Sequence, residues 1–490
     1  MRNNILKVLT CVALGASMTS CGNDFLETKN YKGVDVDNGL TDANSVANAV
    51  NGIYYWLHNY RFAGNYATTI GDVPTDVSYW NTETNHFNDI YCYTVTDDNS
   101  YLKAIWNYGY KVVDNSARAI KAAKSLYQTA TDDDKKTLGK AMAEAYALRG
   151  YANLVMVNIF AHQIKVDGTD YSGQPGLVIS DEPIEALAQV SRSTVGETYD
   201  KIISDLKNAI SNFETSGDNT ERVYFTKAAV EGLLARTYLY MENYDEAYNY
   251  AQKALQDASG VATLATTADS YKNLYNTLGS NSESLFYLAI DSKDNFSANS
   301  CGTLYSTYGY LPTPKLQALY GTNDCRTSVQ SYNNKNGVMY FKGGKFSDFQ
   351  SGNSAYGTNY LINAPEMYLI EAEAKLRGSS DLNAAKAALL VVAKRNSDIK
   401  SAEDLPSTKD ALFSFLKDER ARELFQEGHR LWDLRRWNEK ASVYAYGYPE
   451  VKFTYTNYEI SKLVYPIPVD EINAGFGVTQ NENWSSTFPK

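Results

Sequence analysis

Histidine is scarce in this chain and forms no metal-binding pattern. The 490 residues contain four histidines, at positions 58, 86, 162 and 429. None of them belongs to an HExxH or HxxxH sequence, which would bring two imidazoles to one metal ion on a helix. A Gly-rich phosphate loop and a GxSxG nucleophile motif are absent as well. The sequence therefore predicts no metal ion and no other cofactor.

Cysteine is also too scarce to organise the fold. The chain has five cysteines, of which Cys11 and Cys21 fall in or at the end of an N-terminal leader. Cys92, Cys301 and Cys325 remain, enough for one disulfide at most. The spacing leaves open whether Cys301 and Cys325 are bonded or are free thiols.

Long hydrophobic runs are missing, and the nearest approach to one lies at the N terminus. Arg2 and Lys7 accompany an apolar stretch over 8–16, which has the length of a signal h-region. A transmembrane helix needs about 20 apolar residues. Residues 18–21, Met-Thr-Ser-Cys, resemble a bacterial lipobox, whose cysteine becomes the acylated first residue. We expect a lipoprotein signal peptide over 1–20, a lipid-anchored Cys21 and a single domain over 21–490; an ordinary cleaved signal is the alternative.

Positive charge is in deficit. Lys and Arg number 46 against 57 Asp and Glu, a formal net charge of −11. No basic stripe interrupts this balance, and an acidic protein repels a phosphate backbone. The arginines near the C terminus alternate with acids, which indicates ion pairing. Nucleic acid is therefore excluded as a partner.

Tyrosine is the residue in excess. The chain has 40 Tyr, against 17 Phe and 6 Trp. Tyrosine presents a flat apolar face together with a hydroxyl, which suits a half-wet binding surface. Two Gly-, Ser- and Asn-rich tracts, 72–93 and 294–310, concentrate aromatic rings beside amides. The predicted ligand contacts in these tracts are Tyr79, Trp80, Asn81, Phe87, Tyr91, Tyr305, Tyr308 and Tyr310.

Apolar residues recur at helical spacing through much of the chain. The clearest unit, residues 226–255, reads as two antiparallel helices with a turn at 241–243 and resembles a tetratricopeptide repeat. Long aromatic-rich loops separate the other periodic segments. We predict a mainly α fold in which tetratricopeptide-like hairpins form a scaffold, with an irregular loop-rich ligand lobe inserted between them. The hairpins lie near 102–160, 194–257 and 363–437, and the lobe lies near 60–100 and 260–362.

Several separated motifs resemble one family. Near the C terminus stand DERAREL (418–424), EGHR (427–430), WDLRRW (432–437) and LVYPIP (463–468). Upstream, residues 365–374 and the DFLE sequence after Cys21 agree with the same pattern. In this order, over nearly the whole chain after the leader, the motifs resemble the SusD/RagB family.

The resemblance implies a location and a function. Members of this family are outer-membrane lipoproteins that face the cell exterior and bind nutrients, mostly glycans, without catalysis. They deliver the ligand to a SusC-like TonB-dependent transporter. Two alternatives stay open: a RagB-like protein that binds peptides in an equivalent uptake complex, and, less favoured, a surface glycosidase.

The charged C-terminal motif could be mistaken for an active site. Glycoside hydrolysis needs paired carboxylates, one of them with a raised pKa. Here arginines alternate with the acids and would hold them ionised. We therefore predict a structural ion-pair network formed by Glu419, Arg420, Arg422, Glu423, Glu427, Arg430, Asp433 and Arg435.

Overall fold

Helices dominate the structure, a computed structural model that describes residues 39–258, 263–347, 351–444 and 453–489. The helices are α1 Ala43–His58, α2 Tyr66–Thr69, α3 Asn88–Tyr91, α4 Ser100–Tyr127, α5 Asp132–Phe160, α6 Val195–Ser216, α7 Lys227–Tyr240, α8 Tyr244–Asp257, α9 Ala268–Leu274, α10 Cys301–Ser306, α11 Pro314–Leu319, α12 Ala364–Ala374, α13 Leu382–Ala393, α14 Lys409–Leu424, α15 Arg430–Arg436 and α16 Val469–Asn473. The predicted mainly α fold is confirmed. The predicted signal peptide and Cys21 lie outside the described residues.

Strands are short and occur in two-stranded antiparallel pairs. They are β1 Ser78–Trp80, β2 Lys165–Val166, β3 Thr169–Asp170, β4 Ser284–Leu288, β5 Tyr310–Pro312, β6 Tyr332–Lys335, β7 Val338–Phe341, β8 Asn359–Asn363, β9 Lys440–Tyr444 and β10 Phe453–Glu459. The pairs are β1–β5, β2–β3, β4–β8, β6–β7 and β9–β10. In the first pair Trp80 lies opposite Tyr310. This pairing joins the two aromatic-rich tracts, which are more than 200 residues apart in sequence.

Capping residues mark where the long helices begin. Thr194 and Glu197 form a reciprocal capping box at the start of α6. The two side chains accept hydrogen bonds from backbone N–H groups that have no carbonyl partner within the helix. Thr131 caps α5 by accepting from the N–H of Asp134. Three aspartates follow in the first turn of α5, where negative charge stabilises the positive end of the helix dipole.

The helical hairpin α7–α8 has the predicted form. Its turn occupies 241–243, and Glu242 there adopts the left-handed conformation with φ 53°. Every residue of α7 from Ala228 to Tyr240 is buried, so this helix lies at the centre of the scaffold. The rings of Tyr238 and Tyr250 stack across the pair with centroids 5.7 Å apart. Helix α12 packs against α8 and against α13, which extends the layer of antiparallel helices.

The structure corrects two details of the sequence prediction. Helix α1 was not predicted, although Asp42 and Ser45 form a capping box at its start. Within the hairpins predicted near 363–437, helix α14 ends at Leu424 and α15 begins only at Arg430, because Gln426 and Gly428 adopt positive φ angles of 70° and 77°. Glu427 therefore lies beyond the helix that carries Glu419 and Glu423.

A buried ion-pair cluster joins α14 to the loops packed on it. Arg395, Arg326 and Arg422 meet Glu419 and Glu423 there, and each of the five residues is at most 7% exposed. Nε of Arg395 lies 2.8 Å from Glu423, and Nη1 of Arg326 lies 2.7 Å from Glu419. Burial alone would raise the pKa of Glu419, but the guanidinium groups of Arg326 and Arg422 lower it to about 2. Glu419 is therefore ionised, and both carboxylates are paired with guanidinium groups.

Of the remaining members of the predicted network, Glu427, Arg430 and Arg435 take partners far away in sequence. Arg420 pairs with Asp433 at 2.7 Å, as adjacent motifs suggest. The remaining contacts reach other elements: Arg430 pairs with Asp76 at 2.7 Å, Glu427 pairs with Lys345 at 2.6 Å, and Arg435 donates to the backbone carbonyl oxygens of Asn158 and Ala161. Within the described residues Arg435 has no carboxylate partner, so for this arginine the expected pairing is corrected to backbone contacts.

Cysteine does not cross-link the two positions left open by the sequence. Cys301 and Cys325 are free thiols, so the open question of a bond between them is answered in the negative. In the described ranges no cluster of His, Cys, Asp or Glu side chains is arranged to hold a metal ion. Every helix there is too short or too polar to cross a bilayer.

We expect Glu231→Gln to remove a pH dependence of stability. Glu231 is 2% exposed on α7, and burial, reinforced by Asp257, raises its pKa to about 8, while Lys227 at 4.0 Å offsets only part of this rise. Because the folded state holds the proton more tightly than the unfolded state, this carboxyl contributes stability below its unfolded pKa, and that contribution is lost as pH rises through about 8. The variant should match the wild type at pH 5 and exceed its free energy of unfolding by roughly 2–3 kcal/mol at pH 9. Urea titrations at both pH values measure this, with exposed Glu221→Gln as the control; equal pH profiles for Glu231→Gln and wild type would contradict the prediction.

Candidate ligand-binding surface

Half-exposed aromatic rings form a continuous surface at one end of the long helices. We call this set the aromatic face: Trp56, Tyr60, Tyr66, His86, Tyr101, Tyr108, Phe296 and Tyr308. The rings come from five parts of the chain, namely the end of α1, the segment that leads into the start of α2, the first turns of α4 and each of the two predicted ligand tracts. Each ring is partly buried or exposed, so part of its surface remains open to solvent.

Ring-to-ring contacts connect most of the face. Tyr66 lies at the centre, with centroid distances of 4.9 Å to Tyr101 and 5.5 Å to Tyr60. Phe296 continues the row, 5.7 Å from Tyr60. At the other side Trp56 lies 5.7 Å from Tyr108 in an edge-to-face arrangement. Such spacings are those that aromatic pairs prefer, and they hold the rings in fixed positions.

Two cationic side chains bridge the rings. The guanidinium of Arg61 lies 4.5 Å from the ring centroid of Tyr60 and donates to the hydroxyl of Tyr108 at 3.4 Å. The ammonium of Lys111 lies 4.3 Å from Trp56 and 4.5 Å from Tyr108. Cation–π attraction of this kind contributes about 0.5–1 kcal/mol at exposed sites. Arg61 and Lys111 also add hydrogen-bond donors beside apolar ring surfaces.

His86 and Tyr308 form a stacked pair at the edge of the face. Their ring centroids are 3.7 Å apart, and the rings are within 14° of parallel. Burial above all, and to a smaller extent the phenol of Tyr308, raises the pKa of both Tyr66 and Tyr101. Burial lowers the pKa of His86, so its imidazole is neutral at pH 7.

The phenols of Tyr66 and Tyr101 are neutral over the physiological range. Burial, followed by the neighbouring hydroxyls of Tyr101 and Tyr60, raises the pKa of Tyr66 to about 12. Burial raises the pKa of Tyr101 as well. A neutral phenol both donates and accepts a hydrogen bond. The face therefore offers flat apolar areas together with neutral polar groups, which suits an uncharged ligand with many hydroxyls.

A close backbone approach at Gly64 holds the loop beneath Phe296. A Cβ atom there would lie 2.1 Å from the carbonyl oxygen of His58 and 2.8 Å from Cε2 of Phe296. The imidazole of His58 also contacts the ring of Phe296, with centroids 5.0 Å apart, and bonds the carbonyl oxygen of Ala289 at 2.7 Å. Only glycine lets the two segments meet this closely.

We expect Gly64→Ala to lower the free energy of unfolding by about 1–3 kcal/mol, because the added methyl group overlaps backbone that cannot move freely. Gly52→Ala is the matched control: it lies inside α1 with nothing within 4 Å of its Cβ position, and it should be neutral or stabilising by up to about 1 kcal/mol. Chemical denaturation of both variants measures the difference. Equal stability of the two variants would show that the approach at Gly64 is not tight.

The structure corrects most of the predicted ligand contacts. Tyr79, Trp80, Asn81, Phe87, Tyr91, Tyr305 and Tyr310 are each at most 7% exposed. A ring covered on both sides by protein has no free face for a ligand, and the amide of Asn81 donates to the carbonyl oxygen of Met339 at 3.0 Å, so these side chains are packing residues in this structure. Of the predicted set, Tyr308 alone is half-exposed and belongs to the aromatic face.

Sequence reasoning missed the part of the face that lies on helices. Tyr101 and Tyr108 are seven residues apart on α4, almost two full turns, so they share one side of the helix. The sequence does contain a signal for these two residues: Tyr101 and Tyr108 are aromatic side chains on the side of α4 that is not buried. The prediction instead placed the ligand contacts in loops. Whether a ring in a loop is buried depends on long-range contacts that the sequence does not show.

A family model first defines the class of protein to which this fold and surface belong. A model described as "Starch-binding associating with outer membrane" matches residues 24–239. A second model, described as "SusD family", matches residues 231–484, more than half of the chain. The chain belongs to the SusD/RagB family. No curated protein matches it in sequence.

Solved structures share the fold over almost the whole chain. A putative sugar-binding protein from Bacteroides vulgatus has 25% identity and a TM-score of 0.80, covering 91% of this chain and 100% of its own. A SusD superfamily protein from Bacteroides thetaiotaomicron has 22% identity and a TM-score of 0.78, with 90% and 100% covered. A SusD-like carbohydrate-binding protein from Bacteroides vulgatus has 18% identity and a TM-score of 0.70, with 92% and 98% covered.

Proposed function

We propose that this protein binds a nutrient glycan, an oligosaccharide or polysaccharide, on the aromatic face. The observation that carries the proposal is the continuity of the half-exposed rings from Trp56 to Tyr308, with neutral phenols and two cations beside them. Sugar rings have apolar C–H faces and a fringe of hydroxyl groups. Aromatic rings match the first, and phenol, guanidinium and ammonium groups match the second. The name of a similar structure, a putative sugar-binding protein, supports the same ligand class.

In this proposal the protein acts outside the cell as part of an uptake complex. It is anchored to the outer membrane through a lipid on Cys21 and passes its ligand to a SusC-like TonB-dependent transporter. Membership of the SusD/RagB family and the lipobox-like sequence before Cys21 support this arrangement. Palmitate labelling of cells that express the wild type or Cys21→Ala tests the anchor: label on both proteins, or on neither, would contradict it.

We propose further that binding occurs without catalysis. Arginines hold the carboxylates of Glu419 and Glu423, and the pKa of Glu419 is about 2, whereas a general acid needs a raised value. Burial raises the pKa of Glu427, but this carboxylate pairs with Lys345 and its side chain is 7% exposed. Burial raises the pKa of Asp72 to about 6 and that of Glu231 to about 8, but these side chains are 1% and 2% exposed. A polysaccharide cannot reach a carboxyl group at that depth.

One binding experiment tests the function and its alternatives together. Purified mature protein in detergent is titrated with a glycan panel and, in parallel, with a panel of peptides, while reducing ends are measured over time. The proposal is supported if a glycan binds saturably, if Tyr66→Phe preserves this binding and if Tyr108→Ala weakens it. Peptide binding with no glycan binding would favour the RagB-like alternative, and a time-dependent increase in reducing ends would establish a glycosidase.

A further inference from the structure

A second concave surface adjoins the aromatic face on the other side of α4. This side groove lies between α4 and residues 178–190, and it has a cavity volume of about 430 Å³. That volume is within the range of small-molecule sites, about 300–1,000 Å³. Trp106 and Tyr110 line it from α4, and Leu187 and Phe476 line it from the facing loops.

The chemistry of the side groove is mixed in the way that sugar sites are mixed. Apolar groups come from Leu187, from Phe476 and from the partly exposed ring of Tyr110, while Trp106 is 5% exposed and lies beneath them. Asn107 and Glu185 add an amide and a carboxylate; both side chains are exposed, and neither makes a hydrogen bond within the described part of the chain. An amide and a carboxylate with free bonding capacity, set beside apolar surface, can serve sugar hydroxyls and C–H faces together.

Hydrogen bonds hold the walls of the groove in place. The hydroxyl of Tyr110 accepts from the backbone N–H of Val178 at 3.0 Å, and it lies 3.2 Å from the carbonyl oxygen of the same residue. The indole N–H of Trp106 donates to Glu471 at 3.2 Å. These bonds tie α4 to the loop at Val178 and to helix α16. The groove is therefore preformed, which reduces the entropy lost when a ligand binds.

Helix α4 makes the aromatic face and the side groove one continuous path. Lys111 contacts Trp56 and Tyr108 of the aromatic face and also lines the groove. Viewed down the helix axis, Lys111 is offset from Tyr108 by about 60° and Asn107 by about 100° in the same direction. A chain of sugar units that leaves Tyr108 meets the ammonium of Lys111 next and then the amide of Asn107.

We infer that the side groove is a second glycan subsite, which binds the continuation of a chain whose first units stack on the aromatic face. The inference rests on the proposed function, because it assigns more of the same ligand to a neighbouring surface. It makes chain length a determinant of affinity: short oligosaccharides occupy the aromatic face alone, and longer ones gain the groove contacts.

The test compares short and long members of one saccharide series. Trisaccharides and octasaccharides of the gluco-, manno- and xylo-series are titrated against the full mature protein and against the double variant Asn107→Ala/Glu185→Ala. The double variant should lose roughly tenfold in affinity for a bound octasaccharide and should keep wild-type affinity for the trisaccharide. Asn208→Ala/Glu221→Ala, which removes an exposed amide and an exposed carboxylate elsewhere, is the matched control and should change neither. Amide hydrogen exchange over 178–190 should slow with the octasaccharide but not with the trisaccharide.

The outcomes separate this inference from the proposed function. If Tyr108→Ala weakens binding of both lengths while the double variant matches the wild type for both, the groove is not a subsite, and the aromatic face stands. If no saccharide of any length binds the wild type, the proposed function fails and the inference fails with it. If peptides slow exchange over 178–190 and saccharides do not, the groove receives a protein partner instead.

Discussion

Arg395→Met is expected to lower the free energy of unfolding by about 3–5 kcal/mol, which is a large share of the stability of a typical domain. Arg395 is 0% exposed, and its guanidinium donates to Glu423, Glu283 and the carbonyl oxygen of Ala265. Methionine fills similar space but supplies neither charge nor donors. Glu283 then loses its guanidinium, and Glu423 keeps Arg326 alone.

The physical reason is the cost of an uncompensated buried charge. Replacing a whole buried ion pair by apolar groups can be neutral, whereas removing one partner leaves the other without water or counter-charge. Lys121→Met is the control, because Lys121 and Glu182 form a surface pair at 2.9 Å whose side chains are 61% and 65% exposed. That variant should stay within about 0.5 kcal/mol of the wild type. Urea unfolding measures both, and a loss below about 1 kcal/mol for Arg395→Met would show that the cluster relaxes or admits water.

The sequence predicted the helical scaffold because the signals for it are local. The hairpin α7–α8 follows from apolar spacing within about 30 residues and from a short turn, and the structure has its turn at 241–243. Helix α1 was missed because its residues are largely small and polar until Ile53, and Gly52 interrupts its second half. Tertiary packing of its apolar side, rather than intrinsic helix propensity, therefore stabilises this helix.

The sequence prediction assigned both aromatic tracts to one lobe but misjudged which rings face outward. Trp80 and Tyr310 lie opposite each other in β1 and β5, a contact between segments more than 200 residues apart, and both are buried there. Local composition cannot show that contact. The ion pairs follow the same rule: the motif around Arg430 indicates pairing, but its partner Asp76 is 354 residues away.

We expect Tyr108→Ala to weaken glycan binding by roughly tenfold or more, the effect of removing a well-packed aromatic contact from the centre of a binding surface. Tyr108 lies between Trp56 and Arg61 on the aromatic face, and the ammonium of Lys111 covers part of its ring. Its loss removes a stacking surface and also frees Arg61, whose bond to the phenol positions the guanidinium. Isothermal titration with the glycan that the panel identifies gives the affinities.

Tyr248→Ala separates a role in binding from a role in folding. Tyr248 is likewise a half-buried tyrosine on a helix with a lysine ammonium over its ring, Lys375 at 3.6 Å, but it belongs to α8 of the scaffold. Both variants should lose similar stability, and only Tyr108→Ala should lose affinity. Tyr108→Phe should retain most of the affinity, because the ring remains and only the hydroxyl bond to Arg61 is removed. Equal affinities of Tyr108→Ala and Tyr248→Ala would mean that the ligand does not use the aromatic face, because two rings in matched surroundings can differ in binding only through contact with the ligand.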